Sequence, residues 1–433
     1  MAGNGHCNNN RLLFHSHQRL CSADILQPHE ALSLSLSLSL SLSNNDHNFF
    51  SFSGASKDRS HSPSRSLKMI TNFLVFQVRA RIEATVLKFL HLLASPTPTV
   101  ADLPLIARRS KNARFRHSLF GDVTSIYLSQ SLCRISLMKI NVAKTFIRVW
   151  KVLELCFQLL VHGKQVTQRE LFYKLLSSSP KYFDSQVQVN KSVQDVVSLL
   201  CCSRNSLGLM PSSRGTVVGR LLIQEENQEI VDCSLLGPAG QAITGNLHLL
   251  ENFVFQSNAR YIFVIEKDAI FQRLAEDRIF NHIPSILVTA KGYPDIATRV
   301  FLHRLSKIFP TLPILALVDW NPAGLAILCT YKFGSIGMGL EAYRYACDVK
   351  WLGLRSDDLM LVPQDSKVMM KTRDLQIAKS LMSSDMLQDH KYKEELRAMI
   401  QGGQRVEIEA LYAHGYEFLG RYMVTKVVQD DYF

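Results

Sequence analysis

Two groups of residues in this chain of 433 have the types and spacing for chemistry at phosphorus. The first is a pair of carboxylates. Glu266 follows the apolar run 261–265, and Asp319 follows the apolar run 313–318 with Asn321 two residues beyond. Two carboxylates at equivalent strand ends can share a divalent cation that neither would hold alone. Either one by itself reads better as a solvated residue or a helix cap, and it is the pairing that favours metal. The second group is Tyr173 with Arg169 four residues earlier, one helical turn away. A phenol with an ordinary pKa near ~10 needs help to attack phosphorus. A guanidinium would stabilise the phenolate and grip a phosphate with paired hydrogen bonds. Taken alone, an exposed tyrosine near a helix start is usually only a surface residue.

Elements must place these groups. The runs 261–265, 285–289 and 313–318, separated by helix-like segments, predict parallel strands buried on both faces in a βαβαβ unit. Ligands of such sheets sit at the carboxyl ends of the strands. A fourth strand is expected over 349–354. Residues Thr167 to Glu170 form a capping box, so a helix should begin near Gln168 with Leu171, Phe172, Leu175 and Leu176 inward and Arg169 and Tyr173 outward. A second short helix over 192–200, residues 206–210, a turn at 211–215 and the run 216–223 read as helix-turn-helix plus β-wing. In that winged-helix domain Arg204, Arg214 and Arg220 would face phosphates. Upstream, Val78, Ile82, Val86, Phe89 and Leu93 fall at helical spacing, a stripe for its own domain or for a partner. Residues 385–429 are expected to be mostly helical and to carry no chemistry.

These motifs also carry a resemblance. A Glu after the first strand with Asp319-Trp320-Asn321-Pro322-Ala323-Gly324 after the third resembles the toprim domain of topoisomerases, whose usual pattern is Asp-x-Asp. The strings Lys291-Gly292-Tyr293-Pro294-Asp295-Ile296-Ala297-Thr298-Arg299 and Arg169-Glu170-Leu171-Phe172-Tyr173 narrow it. Residues 77–433 are similar to the A subunit of topoisomerase VI and its eukaryotic relative, the meiotic double-strand-break transesterase, most of all its second plant paralogue group. The resemblance implies an α/β multidomain fold, with a winged-helix (CAP-like) DNA-binding domain followed by a toprim α/β domain with a parallel sheet. The domains would be a low-complexity extension at 1–68, a helical partner-binding region at 69–140, the winged helix at 141–230 and toprim at 258–433.

The same resemblance implies a type IIB A-subunit-like transesterase that makes meiotic double-strand breaks through a 5′-phosphotyrosyl intermediate. Tyr173 would be the nucleophile and Arg169 its helper. Many members have a second tyrosine where this chain has Phe172, but one nucleophile suffices. Mg²⁺ would be held by Glu266, Asp319 and Asn321, more weakly or as one ion because an amide replaces a carboxylate. Arg214 and Tyr293 would touch DNA. Because each family site combines two protomers, double-stranded DNA would be cut in the nucleus by a homodimer or a heterodimer with a paralogous A-type chain. A topoisomerase VI B-like subunit would accompany them. Two competing readings are a non-catalytic DNA-binding subunit, which Asn321 favours, and a toprim nuclease that uses water.

Bulk properties agree with an anionic partner: the net charge is +12 and the pI near 9.2. No apolar run reaches ~18 residues, so no membrane span is expected. The nine cysteines include no Cys-x-x-Cys pair, which argues against zinc and disulfides and for a reducing compartment. Residues 1–68 are rich in Ser, Asn and His and repeat Leu-Ser from 32 to 43, a low-complexity extension more than a transit peptide.

Overall fold

One long helix organises the amino-terminal half. A computed structural model describes residues 75–94, 102–117, 124–129 and 131–433, apart from 227, 385, 386 and 388, and the extension 1–68 lies outside them. Helix α1 (Val75–Leu93) is followed by strands β1 (Asp102–Ile106), β2 (Ala113–His117), β3 (Thr124–Leu128) and β4 (Leu132–Ser136). The pairs β1–β4 and β2–β3 are antiparallel. Then comes α2 (Ile140–Val161), whose stripe Phe146, Trp150, Leu153 and Phe157 is buried at helical spacing. Helix α1 lays Val78, Ile82, Val86 and Phe89 inward, with the Phe89 ring 4.9 Å from Trp150 and 5.5 Å from Phe146. One expectation changes here: beyond α1 and a single turn at Ser110–Asn112, the described residues between 102 and 136 are mainly strands. Of the two readings of the α1 stripe, packing within its own domain is the one observed.

Helices α3 (Gln168–Ser178) and α4 (Gln186–Leu200) complete this half. The Thr167 hydroxyl accepts the Glu170 N–H at 3.1 Å, so α3 begins where the capping pattern put it. The second helix starts six residues before the expected 192. The expected wing is absent from this unit. Strand β5 (Thr216–Gly219) is buried throughout and lies antiparallel against a strand of the second half. Thr216, Val217 and Val218 are β-branched and covered on both faces, which suits the interior of a sheet and not a solvated hairpin. The helical unit therefore ends near Met210, well short of 230.

The second half is built on β6 (Tyr261–Ile265), α5 (Asp268–Glu276), β7 (Ser285–Thr289), α6 (Ile296–Ile308), β8 (Ile314–Leu317), α7 (Pro322–Phe333) and β9 (Val349–Gly353). The sheet runs from the short strand Gln241–Ala242 through β5, β7, β6 and β8 to β9. Strands β7, β6, β8 and β9 are mutually parallel. From β6 the chain goes to one side for β7 and returns to the other for β8, so the loops after β6 and β8 diverge. That divergence opens a crevice at their carboxyl ends. Helices α8 (Thr372–Met382), α9 (His390–Gly402) and α10 (Phe418–Val428) close the half, with the strand Gln404–Arg405 between the last two.

A buried contact joins the halves. Leu340 and Ala342, just after α7, belong to the amino-terminal core, and between them Glu341, 1% exposed, sits 3.3 Å from Arg204 Nε. Among the described residues no helix is long and apolar enough to cross a membrane.

Candidate active site

The crevice holds the expected carboxylates side by side. Glu266 ends β6, and its Oε2 accepts the backbone N–H of Asp319 at 2.9 Å. Its other oxygen, Oε1, has no hydrogen-bond partner among the described residues. Asp319, 4% exposed, accepts the Ile408 N–H on Oδ1 at 2.9 Å. The loop after β8 alternates: Asp319 and Asn321 turn to the crevice, while Trp320 turns away and donates to Glu395 Oε2 at 2.9 Å. Helix α7 then comes so close that a Cβ at Gly324 would lie 2.3 Å from the Asp319 carbonyl oxygen, so only glycine fits. On the other side, Lys291 and Gly292 both have positive φ, and the Gly292 N–H donates to the Glu266 carbonyl at 2.8 Å.

Asn321, expected as a metal ligand, serves as a helix cap. Its Oδ1 accepts the Gly324 N–H at 2.8 Å as the N-cap of α7, and Nδ2 is the atom that faces Asp319 Oδ2, at 3.4 Å. The capping bond fixes which end of the amide is oxygen. Asn321 thus presents N–H toward Asp319, while the cap engages one of the two lone pairs of Oδ1. Glu266 and Asp319 do suit a cation. Burial raises the Glu266 carboxyl above the ordinary range, and the Asp319 charge adds to the rise. Burial also raises Asp319, against the pull of Lys267. A divalent ion would relieve both.

Three residues not singled out from sequence complete this rim. Lys267 lies 3.3 Å from Asp319 Oδ1 and 3.0 Å from Glu407 Oε2, and it also donates to Glu409 Oε2. Glu407 and Glu409 flank the Ile408 N–H that meets Asp319, on a segment paired to the rim by a Val406–Trp320 bridge. The stretch expected to carry no chemistry therefore supplies part of the site. Its sequence signal was the alternation Glu407-x-Glu409 just after Gly402-Gly403, with Lys267 immediately beside Glu266.

Arg214 and Tyr293 also meet at this rim. Arg214 Nη2 donates to the Tyr293 carbonyl at 2.9 Å, and the Arg214 backbone N–H donates to Asp295 Oδ2 at 3.1 Å. Asp295 caps α6, and Tyr293 is 46% exposed. Arg204 and Arg220 do not face outward as expected. The first is buried against Glu341, and the second donates to the Phe280 carbonyl at 2.8 Å.

Tyr173 stands on α3, 53% exposed, with its hydroxyl accepting from Arg169 Nη2 at 2.9 Å. Leu171, Phe172 and Leu175 hold the opposite face in the core, which points the pair to solvent. No hydrogen bond or ion pair among the described residues links this pair to the Glu266–Asp319 rim.

Comparison with known proteins matches both regions. Residues 261–427 match the model of the toprim domain of the topoisomerase 6 A-subunit/Spo11 family, and residues 144–209 match that of the Type IIB DNA topoisomerase family. Meiotic recombination protein SPO11-2 of Arabidopsis thaliana is 62% identical over 359 residues, covering 83% of this chain and 94% of that protein. The DNA topoisomerase 6 A-subunit of the same plant is 38% identical over 67% of each chain. Human meiotic recombination protein SPO11 is 31% identical over 66% of this chain and 72% of its own. On these matches the chain belongs to the topoisomerase 6 A-subunit/Spo11 family.

Proposed function

We propose that the chain is a nuclear DNA transesterase that opens meiotic double-strand breaks. The observation that carries this reading is the Arg169–Tyr173 pair, a solvent-facing phenol already bonded to a guanidinium. The Tyr173 oxygen attacks a backbone phosphorus and loses its proton to solvent. The bond from phosphorus to the 3′ oxygen breaks, and that oxygen leaves as a hydroxyl. One diester replaces another, so a 5′-phosphotyrosyl link forms without nucleotide hydrolysis. Arg169 holds the phenolate and then the phosphate.

Glu266 and Asp319 would hold Mg²⁺, which supplies charge neutralisation at the leaving oxygen. The exposed Tyr293 ring and Arg214 lie at the same rim and would meet the DNA there. Helices α2, α3 and α4 are the part of the winged-helix reading that remains, with α3 displaying the nucleophile. Since no hydrogen bond or ion pair among the described residues joins the two groups, the reading places Tyr173 of one protomer beside the rim of another. It therefore needs a homodimer or a paralogous A-type partner, with a B-type subunit.

Cells lacking the native copy, given wild type or Tyr173→Phe and scored for DNA ends carrying covalent protein, test this. Loss of such ends with Tyr173→Phe is expected. Unchanged ends would sink the transesterase reading. A second reading, a DNA-binding subunit that does not cut, is favoured by the Asn321 amide that turns N–H toward Asp319. It predicts normal breaks in the Tyr173→Phe background whenever the paralogue is intact.

A further inference from the structure

Lys267 takes no part in the reaction proposed above, yet it occupies the middle of the rim. It directly follows Glu266 at the start of α5, and its ammonium turns back across the crevice. There it lies 3.3 Å from Asp319 and 3.0 Å from Glu407, with Glu409 as a third partner. Carboxylates from two distant stretches of chain thus share one positive charge. The ammonium side chain is only 21% exposed, so water screens it less than an ordinary surface pair. Glu407 is itself oriented by Arg405, 3.6 Å away. Beside Asp319 the Asn321 amide turns an N–H to the place where a carboxylate would turn an oxygen.

We propose that Lys267 is the resident second cation of this rim: held by Glu407 and Glu409 against Asp319, it fills the charge position of a second divalent ion, and the chain takes one ion only. Glu266, whose Oε1 has no hydrogen-bond partner among the described residues, and Asp319 would hold that single ion. The inference rests on the metal reading of these two carboxylates. A second divalent ion near Asp319 would face the ammonium and the Asn321 N–H, both positive toward it, in a half-buried rim where such repulsion is large. One ion plus one ammonium answers the loss of the third carboxylate without adding a ligand.

Mn²⁺ counted by electron spin resonance and titrated calorimetrically into the full chain tests this, with thermal unfolding in parallel. Wild type should take one Mn²⁺ per chain, and so should Lys267→Arg. Lys267→Met should take a second ion or bind the first about tenfold or more tightly. Two ions on the wild type, or a folded Lys267→Met that matches wild type, overturns the proposal and leaves the metal reading standing. A wild type that takes no Mn²⁺ overturns both. If Lys267→Met does not fold, Asn321→Asp decides. It is expected to tighten the single ion without adding another, and a second ion on that variant overturns the proposal.

Discussion

The Glu266 carboxylate accepts the backbone N–H of Asp319 at 2.9 Å, which ties together two acidic positions that lie 53 residues apart in the chain. A charge change at one is therefore felt at the other. Glu266→Gln keeps an acceptor for that N–H and removes the charge. We expect it to abolish divalent-ion binding in calorimetry and covalent DNA ends in cells, while the thermal midpoint near neutral pH stays level or rises. A fall in the midpoint would show that the charge stabilises the metal-free rim.

The pH dependence follows from the two raised carboxyls. Burial, with the Asp319 charge, lifts Glu266 to about 7, and burial lifts Asp319 to about 6. The pair titrates together. Where the folded chain keeps a proton that the unfolded chain has released, stability falls as pH rises. The metal-free chain should therefore lose thermal stability between about pH 4 and pH 7, and Mg²⁺ should restore it at the upper end. Melting curves in chelator and in Mg²⁺ check this, and Glu266→Gln should flatten the slope.

Asn321 can be separated into cap and rim. Asn321→Ala removes the acceptor for the Gly324 N–H and should cost about 1 kcal/mol by denaturant unfolding. Asn321→Asp keeps the cap and should leave stability within about 0.5 kcal/mol of wild type once Mg²⁺ is present.

The joint between the halves is a buried ion pair. Glu341→Ala would leave Arg204 enclosed without its partner and should destabilise the chain by about 3–5 kcal/mol, read as a lower thermal midpoint. The conservative Glu341→Gln should recover part of that loss, because the Arg204 backbone N–H also bonds to this side chain.

At Arg169 shape matters as well as charge. Arg169→Ala should lower covalent ends about 100-fold, and Arg169→Lys should rescue only part of the loss, because an ammonium cannot grip phenol and phosphate together. Full rescue by lysine would mean that charge alone suffices.

Much of this was legible in the sequence because local rules agreed with the final fold. The β-branched runs, the Thr167 cap and the outward Tyr173 each follow from a few neighbouring residues. What was not legible depends on contacts between distant stretches. Thr216–Gly219 reads as a wing strand locally, and only its pairing with Ser285–Thr289 shows the sheet it joins. Arg204 carries an ordinary surface charge until Glu341 arrives from 137 residues away. Asn321 satisfies two patterns at once, ligand spacing and helix cap, and only the distant fold shows that its amide N–H faces Asp319.

The segment holding Glu407, Ile408 and Glu409 closes the rim from near the carboxyl terminus, 140 residues or more after Lys267. During synthesis the sheet and both carboxylates leave the ribosome before the segment that encloses them. A chain stopped before that segment would therefore carry both carboxylates on an open rim, with Lys267 left only Asp319 of its three partners.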